Sequence, residues 1–249
     1  MKYSKIEWTE ATWNPSTGCT KITSGCKNCY AETMAKRLQA MGTVGYKNGF
    51  EFTLIPERLD LPLRIKKPTK FFVNSMSDLF HERMPFDFLD NVFNTIRQTP
   101  QHTYQILTKR ENIMVEYFST RVVPQNVWLG VSVEHSKTKY RIDSLRNVDA
   151  RIRFLSIEPL IGDLGIIDLT NIHWVIVGGE SGPQARPMNP DWASSIQKQC
   201  NDQGSAFFFK QWGTWGGDGI RRSKKANGRI LLGKEWNDEP AEIYLPVTP

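Results

Sequence analysis

Short apolar segments with high β propensity alternate along the chain with helical segments, and this alternation most constrains the fold. The predicted strands are Lys70 to Asn74, Thr103 to Leu107, Asn126 to Val133, Arg153 to Ile157, His173 to Val177 and Ala206 to Phe209. The predicted helices are Cys29 to Met41, Pro85 to Gln98, one from about Arg110, Thr138 to Arg146 and Pro190 to Asn201. Apolar strands that alternate with helices are typical of a covered parallel sheet. The sequence predicts an α/β fold, a full or partial TIM-type barrel of about six to seven parallel strands.

Polar residues follow these strands directly. In a TIM-type barrel the carboxyl ends of the strands meet at one face, and active sites lie in the loops there. A single polar residue at a strand end often only caps a helix, but here six consecutive strand ends carry amide or ionisable groups. We therefore expect one polar rim, formed by Asn74, Ser75, Ser77, Asp78, Thr108, Lys109, Arg110, Ser132, Glu134, Glu158, Gly178, Gly179, Glu180, Ser181, Lys210, Gln211 and Trp212.

Three of the four cysteines, Cys19, Cys26 and Cys29, fall within eleven residues, and Cys200 stands far from them. This distribution indicates a metal or cluster site rather than a disulfide framework. Three thiolates can bind three irons of a [4Fe-4S] cluster and leave the fourth iron open. Structural zinc normally has four ligands, which this loop does not offer, and zinc or a redox pair is the alternative. We expect Cys200 to be a buried structural thiol on the face opposite the loops.

The charge balance permits a nucleic-acid partner. The chain has 32 Lys and Arg residues against 26 Asp and Glu, a net charge of +6, with 13 Phe, 8 Trp and 7 Tyr. Basic and aromatic surfaces suit nucleic acids, and the candidates for base stacking are Trp8, Trp13, Trp212 and Trp215. No apolar run approaches the roughly 20 residues that span a bilayer. Because the first ten residues form no apolar signal segment, we expect a cytoplasmic protein with no membrane partner.

The barrel pattern stops after a glycine-rich aromatic segment that begins at Lys210. Residues 221–229 carry five basic side chains and no acid, which suits either a solvated loop or a flap that contacts phosphates. The chain is therefore divided into a barrel with an N-terminal cysteine loop, residues 1–213, and a basic extension packed on or beside it, residues 214–249. His81 and His135 follow strand ends, and we expect both on exposed loops.

The cysteine loop, N-P-x-x-G-C followed by G-C-x-x-C-Y-A, resembles the cluster loop of the radical SAM superfamily, in the branch that contains spore photoproduct lyase. That branch usually has three residues between its first two cysteines, whereas this chain has six, Thr20 to Gly25. Over nearly its whole length the chain also resembles a phage-associated three-cysteine-motif family. The blocks that carry this resemblance are the cysteine loop, NSMSDLFHE (Asn74 to Glu82), ILTKR (Ile106 to Arg110), VWLGVSVE (Val127 to Glu134), FLSIEPL (Phe154 to Leu160), WVIVGGESGP (Trp174 to Pro183) and FFFKQWG (Phe207 to Gly213).

The resemblance implies a radical SAM-like barrel with a [4Fe-4S] cluster on Cys19, Cys26 and Cys29 and S-adenosyl-L-methionine (SAM) on the open iron. Electron transfer from the cluster would cleave SAM to methionine and a 5′-deoxyadenosyl radical, while the protein orients the cofactor and selects the hydrogen removed. The expected substrate is DNA or RNA, in repair or base modification, and the expected reductant is a protein such as flavodoxin or ferredoxin. A phage-encoded protein would work in the host cytoplasm.

The implied SAM site draws first on the strands nearest the cysteine loop. We expect Ser75, Ser77 and Asp78 to hold the methionyl amino or carboxylate group of SAM. Lys109 follows the next strand and is a candidate to pair with the methionyl carboxylate. No catalytic acid or base is predicted.

Residues after the later strands complete the implied site. Ser132 and Glu134 are placed to reach the ribose hydroxyls of SAM. Glu158 and the turn from Gly178 to Glu180 complete the pocket or meet the substrate. The two glycines also suit a plain tight turn, because glycine tolerates positive φ.

Two other functions stay open at this point. A zinc-stabilised or metal-free nucleic-acid-binding phage protein would use the barrel as a scaffold without catalysis. A redox or cluster-sensing regulator would form the cluster but neither bind nor cleave SAM. Metal content and a SAM-cleavage assay distinguish these functions.

Overall fold

The computed structural model describes residue 4 and residues 6–240. Its main sheet contains β1 (Ala11–Trp13), β4 (Lys70–Val73), β5 (Thr103–Thr108), β6 (Val127–Ser132), β7 (Ile152–Ile157), β8 (Trp174–Gly178) and β9 (Ala206–Gln211). Two further strands, β2 (Ser16–Thr17) and β3 (Thr53–Leu54), form an antiparallel pair. The helices are α1 (Tyr30–Ala40), α2 (Phe86–Arg97), α3 (Glu111–Phe118), α4 (Tyr140–Arg146), α5 (Pro190–Gln203) and α6 (Lys224–Asn227).

All seven strands of the main sheet are parallel, in the order β1-β4-β5-β6-β7-β8-β9. Each connection therefore advances along the sheet in one direction, as in a (β/α) barrel. The first and last strands do not pair with each other, so the sheet is a curled half-barrel. The predicted α/β fold is confirmed in its partial-barrel form.

The six predicted strands all form, with ends within two residues of those expected. The sequence reading missed β1, which has only three residues and follows the polar Glu10. Its register is nevertheless well defined, because Ala11 pairs with Phe71 and Trp13 pairs with Val73 of β4. Pairing with a neighbouring strand, which no local pattern reveals, makes this segment a strand.

The outer face of the sheet is covered by helices. α2 buries Leu89, Val92, Phe93 and Ile96, all with no exposed surface, in the same apolar cluster as the outward-facing side chains of the strands. This spacing places the apolar residues on one helix face. Full burial of each such side chain contributes roughly 1.5–3 kcal/mol.

The inner face of the half-barrel is filled by aromatic rings. Trp8 enters from the segment before β1 and packs edge-on against Phe72 at 4.7 Å and Trp174 at 6.1 Å between ring centroids. Phe154 reaches the same cluster because β6 has Gly130 opposite it, where a Cβ atom would lie 2.6 Å from the Phe154 ring. The barrel interior is therefore closed below its mouth.

The tryptophans proposed for base stacking are mostly core residues. Trp8, Trp13 and Trp212 are 3%, 0% and 7% exposed, so the expectation that they offer open stacking faces is wrong. Trp215 is half-buried, donates its indole N–H to the Ala185 carbonyl and lies beneath the Arg221 guanidinium.

Residues 214–240 pack along β9. Asn237 forms an antiparallel bridge with Phe208, the Phe209 amide donates to the Trp236 carbonyl, and the Trp174 indole donates to the Asp238 carbonyl. The remainder of the predicted extension, residues 241–249, lies outside the described residues, and the boundary at residue 213 stays a prediction.

The basic segment 221–229 is held against the protein. Its ionic and hydrogen-bonded contacts are Arg221 to the Pro183 carbonyl, Arg222 to Asp218, Lys224 to Glu7 and Arg229 to the Trp236 carbonyl. Among the helices of residues 6–240, none has the length and apolar character to cross a bilayer. Cys200, on α5, is completely buried as expected.

Candidate functional site

A cavity of about 430 Å³ opens at the carboxyl ends of the main strands. That volume lies within the range of about 300–1,000 Å³ typical of small-molecule sites. The predicted site residues that line it are Cys19, Cys26, Cys29, Ser75, Ser77, Asp78, Lys109, Ser132, Glu158, Gly179 and Glu180. Glu134 and Gly178 lie behind this lining. We call the part of the cavity formed by the three cysteines, Asp78 and Glu180 the cysteine side.

The alternation of side chains along each strand explains why polar groups gather here. Along β6, Trp128, Gly130 and Ser132 share the inner face, so an aromatic floor gives way to a hydroxyl at the carboxyl end. On β7, Ser156 likewise places a hydroxyl near the carboxyl end of the strand, in register with Ser132. Ser156 lines the cavity but was missed by the sequence reading, although its position two residues after Phe154 could have signalled it.

The cysteine loop begins at a turn that requires glycine. Gly18 has φ of +75°, and a Cβ atom there would overlap the Glu51 carbonyl. The Cys19 amide donates to the Phe50 carbonyl at 3.1 Å, which fixes the start of the loop. At the other end Cys29 occupies the N-cap position of α1, so the loop ends where this helix begins.

Arg110 ties the first cysteine to the sheet. Its guanidinium, only 5% exposed, donates to Cys19 Sγ at 3.4 Å, Asp78 Oδ2 at 3.3 Å, Glu82 Oε2 at 2.7 Å and the Thr20 carbonyl at 3.0 Å. Burial and the nearby Asp78 raise the pKa of Cys19 to about 11, although Arg110 acts in the opposite direction. Cys19 is therefore a thiol at neutral pH, and binding of a metal through its sulfur would release a proton.

The carboxylate of Asp78 has its hydrogen-bonding positions filled by donors of the protein. One carboxylate oxygen accepts from the Phe80 amide at 3.0 Å and the Thr108 hydroxyl at 2.7 Å. The other accepts from the Lys109 amide at 3.0 Å and from Arg110. Four donors fill the roughly four lone-pair positions of a carboxylate. Asp78 thus braces the ends of β4 and β5, and its predicted contact with the methionyl group of SAM stays a prediction.

Glu134 supports the cysteine loop from below. It is completely buried and accepts from the Thr23 hydroxyl at 3.0 Å, from Lys109 Nζ and from Arg141 at 3.1 Å. Gly25 lies directly on it, since a Cβ atom there would be 2.5 Å from Glu134 Oε1. Burial alone would raise the pKa of Glu134, but Lys109 and Arg141 lower it overall. Its predicted contact with a ribose stays a prediction.

Cys26 differs electrostatically from Cys19. Burial opposes its ionisation, but Lys109 and hydrogen bonds from Ile22 and Thr23 outweigh burial and lower the pKa of the Cys26 thiol. One loop therefore presents two thiols with opposite tendencies to ionise. The difference arises from the positive charge of Lys109 and the hydrogen bonds at Cys26, and from the negative charge of Asp78 near Cys19.

Glu180 attaches the end of the loop to the segment after β8. Arg186 donates to both of its oxygens, at 2.6 and 2.9 Å, and Asn28 Nδ2 donates to it at 3.1 Å. Asn28 also donates to the Gln184 carbonyl at 2.8 Å. The sequence reading missed Arg186 and Asn28, because no local pattern relates residue 28 to residue 180.

The two predicted serines of the β4 end hold neighbouring backbone. The Ser77 hydroxyl donates to the Gly18 carbonyl at 2.7 Å, and the Ser75 hydroxyl donates to Asn14 Oδ1 at 3.2 Å. The Tyr30 hydroxyl, also missed from the sequence, donates to the Ser75 carbonyl. Their predicted roles toward SAM stay predictions.

Glu158 and Lys210 form an ion pair across β8. Glu158 Oε2 accepts from Lys210 Nζ at 3.2 Å, and both side chains are less than one-fifth exposed. The carboxylate passes directly over Gly178, where a Cβ atom would overlap Glu158 Oε1. Gly178 therefore makes room for Glu158 and does not itself face the cavity.

His81 contradicts the expectation of an exposed loop histidine. Its side chain is completely buried and stacks on Phe52 at 4.1 Å between ring centroids. The Arg83 amide donates to Nδ1 at 3.1 Å, while Nε2 lies 3.2 Å from the Thr20 hydroxyl. Burial and the nearby Arg110 lower the pKa of His81 to about 4. His135 is half-buried, with Nε2 3.0 Å from the Ser24 hydroxyl.

The three cysteines do not form a site for one metal ion in this structure. Within residues 6–240, no three Cys, His, Asp or Glu side chains converge closely enough to hold one ion. Zinc requires thiolates about 2.3 Å from a single centre, whereas each cysteine of a cluster binds its own iron. Cys19, Cys26 and Cys29 line the same cavity, and the kind of metal site they form stays a prediction.

Comparison with solved structures finds spore photoproduct lyase. A cysteine-to-serine mutant of that enzyme matches with a TM-score of 0.50 and 12% identity, over 86% of this chain and 80% of that one. The enzyme complexed with dinucleoside spore photoproduct matches with a TM-score of 0.44 and 13% identity. This match covers 80% of the present chain but only 63% of the length of that one. A double mutant with bound AdoMet and dinucleoside spore photoproduct matches with a TM-score of 0.40 and 13% identity, over 71% of this chain and 58% of that one.

At these identities the likeness concerns the fold alone, a half-barrel shared with spore photoproduct lyase. Comparison with curated proteins finds no match. The phage association and the three-cysteine family stay predictions. A family match over residues 3–240, nearly the whole sequence, shows that the chain belongs to the family described as "Protein of unknown function (DUF5131)".

Proposed function

We propose that this protein is a radical SAM enzyme that binds a [4Fe-4S] cluster through Cys19, Cys26 and Cys29 and acts on a nucleic acid. The observation that carries the proposal is that one loop contributes three cysteines to the lining of one cavity, at the carboxyl ends of a parallel half-barrel. The same fold occurs in spore photoproduct lyase. This combination supplies three iron ligands and an enclosed space beside them.

The chain itself would prepare this space for a charged cofactor. When bound, the cluster would supply the electron that cleaves SAM to a 5′-deoxyadenosyl radical. Arg110 and Lys109 lie beside Cys19 and Cys26 and offset the negative charge of their thiolates. The aromatic floor of Trp8 and Phe72 keeps water out of the barrel below the cavity.

SAM would bind between the cysteine loop and the ends of β4 to β8. Lys109 supplies a positive charge for the methionyl carboxylate, and Ser132 with its neighbour Ser156 supplies hydroxyls in register on adjacent strands. Ser75, Ser77 and Asp78 would support this part of the site, chiefly by fixing the backbone that carries it. Glu180 would close the SAM site on the cysteine side, whereas Glu158 would meet the substrate.

A nucleic-acid substrate is supported by two observations. The net charge is +6, and the spore photoproduct lyase structures include complexes with a dinucleoside spore photoproduct. Repair or modification of a base is the reaction class that fits such a substrate. A reductant such as flavodoxin or ferredoxin would deliver the electron.

An assay of SAM cleavage tests this function. After anaerobic reconstitution and with a strong reductant, wild-type protein should form 5′-deoxyadenosine. Replacement of any loop cysteine, for example Cys26→Ala, should reduce formation to background, whereas Cys200→Ser is the matched control and should retain it. Equal cleavage by wild type and Cys26→Ala would overturn the proposal. Salt-sensitive DNA binding that survives Cys26→Ala, without SAM cleavage, would instead support a non-catalytic binding protein.

A further inference from the structure

We propose that the side of the cavity formed at the carboxyl ends of β7 and β9 is a subsite for a nucleobase of the substrate. This β7–β9 wall consists of Glu158, Lys210 and Gln211, with Trp8 at its foot. The proposal rests on the proposed nucleic-acid substrate and assigns the residues that would read it. Its first support is a set of polar atoms that the protein leaves without partners.

Two buried polar atoms of this wall have no hydrogen-bond partner among the described residues. They are the indole Nε1 of Trp8 and the side-chain Oε1 of Gln211, on residues that are 3% and 7% exposed. A buried donor or acceptor without a partner costs roughly 1–3 kcal/mol. Native proteins therefore normally satisfy such groups with water or a ligand. Both residues line the cavity, and because the two atoms have less than 1 Å² of accessible surface, a bound molecule would meet them after the side chains turn toward it.

Glu158 adds a further acceptor. Its Oε2 atom accepts from Lys210, but within residues 6–240 its Oε1 atom accepts no hydrogen bond. The carboxylate is held in position because Gly178 leaves the space over β8 open. The wall thus offers two acceptor oxygens, on Glu158 and Gln211, and two donors, on Trp8 and Lys210.

The charge of the wall selects a neutral ligand. Lys210 is paired with Glu158, and Lys224 at the same rim is paired with Glu7 at 3.0 Å. A phosphate needs cations that are not already neutralised by carboxylates. A neutral group with neighbouring donors and acceptors on its edge and an apolar face meets these requirements. Nucleobases have this character, and the small exposed parts of Trp8 and Phe72 give the cavity an apolar floor without an open stacking face.

The experiment uses metal-free full-length protein, so that it does not depend on a cluster. Binding of the four deoxynucleosides and of deoxyribose 5-phosphate is measured by isothermal titration calorimetry. We expect at least one nucleoside to bind and the sugar phosphate not to bind. Trp8→Phe and Glu158→Gln should each weaken nucleoside binding by about 3- to 10-fold, the range of one lost hydrogen bond.

Asp202→Asn is the matched control, because Asp202 forms an exposed ion pair with Lys198 on α5, remote from the cavity lining. It should leave binding unchanged. Circular dichroism checks that each variant folds, and Glu158→Gln tests the wall even if Trp8→Phe does not fold.

Three results would overturn the subsite. One is that no nucleoside binds, or that the sugar phosphate binds equally well. Another is that both variants weaken the binding of S-adenosylhomocysteine and leave the binding of nucleosides unchanged, which would assign the wall to SAM. The last is equal binding of N-acetylglutamine amide, which would indicate a peptide substrate. Absence of SAM cleavage with intact nucleoside binding would instead contradict only the proposed radical chemistry.

Discussion

The two sides of the cavity differ in how completely their polar atoms are paired. On the cysteine side, Asp78, Glu134 behind the loop and Glu180 each accept hydrogen bonds from several protein donors, which fix the loop to the strands. On the β7–β9 wall, Glu158 accepts from Lys210 alone, and Gln211 Oε1 has no partner among the described residues. One side is therefore organised to hold a loop rigid, whereas the other keeps hydrogen-bonding capacity for a ligand.

The largest effect on stability is expected at Arg110, on the cysteine side. Arg110→Ala should lower the free energy of unfolding by about 3–5 kcal/mol, because it leaves the buried Asp78 without its ionic partner. Urea unfolding measures the change. Arg121→Ala, which breaks a more exposed pair with Asp90, is the control and should cost less than about 1 kcal/mol. A loss for Arg110→Ala no greater than the control would show that this side is not held by its pairing.

A pH effect tests the same side through His81. Burial and Arg110 lower its pKa from 6.5 to about 4, so the unfolded chain binds a proton at higher pH than the folded protein. This contribution to stability is complete above pH 6.5 and is lost as the pH falls towards 4. The loss should reach about 3 kcal/mol.

Unfolding midpoints across this pH range measure the effect, and His81→Leu should flatten the curve. The slope that remains comes from His102 and His173, whose pKa values are also lowered by burial, and near pH 4 from carboxylates with lowered pKa values such as Glu82, Glu134 and Glu180. A wild-type curve that is level over this range would contradict the buried neutral state of His81.

The next largest effect on stability concerns the β7–β9 wall. Gly178→Ala places a methyl group where the Glu158 carboxylate lies, so Glu158 must swing away from Lys210. We expect a loss of about 1 kcal/mol, because the displaced group is the end of a flexible side chain. A double mutant, Gly178→Ala with Glu158→Ala, should lose less than the sum of the single losses in urea unfolding. Additive losses would mean that the two residues do not share this space.

The smallest effect sharpens the contrast. Glu158→Gln keeps the side-chain volume and removes one partly buried ion pair, so its cost should stay below about 1 kcal/mol. Asp78→Asn, the corresponding change on the cysteine side, should cost more because Asp78 accepts from four donors. Equal losses in urea unfolding would remove the distinction between the two sides.

The sequence predicts the frame of this molecule well because local patterns encode it. Six strands are apolar enough to be read individually, and the polar residues that follow them locate the mouth of the barrel. Strand β1 was not predicted, because its three residues become a strand only by pairing with β4. Cys200, a lone cysteine on a helix, is buried as its residue type suggests.

The pairing of the site could not be read from the sequence. Thr23 meets Glu134 and Arg110 meets Cys19 only when the loop folds over the strand ends, across 111 and 91 residues of chain. The Thr23 contact places Glu134 behind the lining, and packing against Phe52 and Thr20 buries His81. Charge and residue type alone made both look like exposed groups of the rim.

The metal content of protein reconstituted anaerobically with iron and sulfide tests the central claim most directly. Wild-type protein and Cys200→Ser should each hold about four irons and four sulfides per chain, and Cys26→Ser should hold far fewer. A colourless wild-type protein with one zinc per chain, or iron content that does not change in Cys26→Ser, would contradict the assignment of the cysteine loop to a [4Fe-4S] cluster.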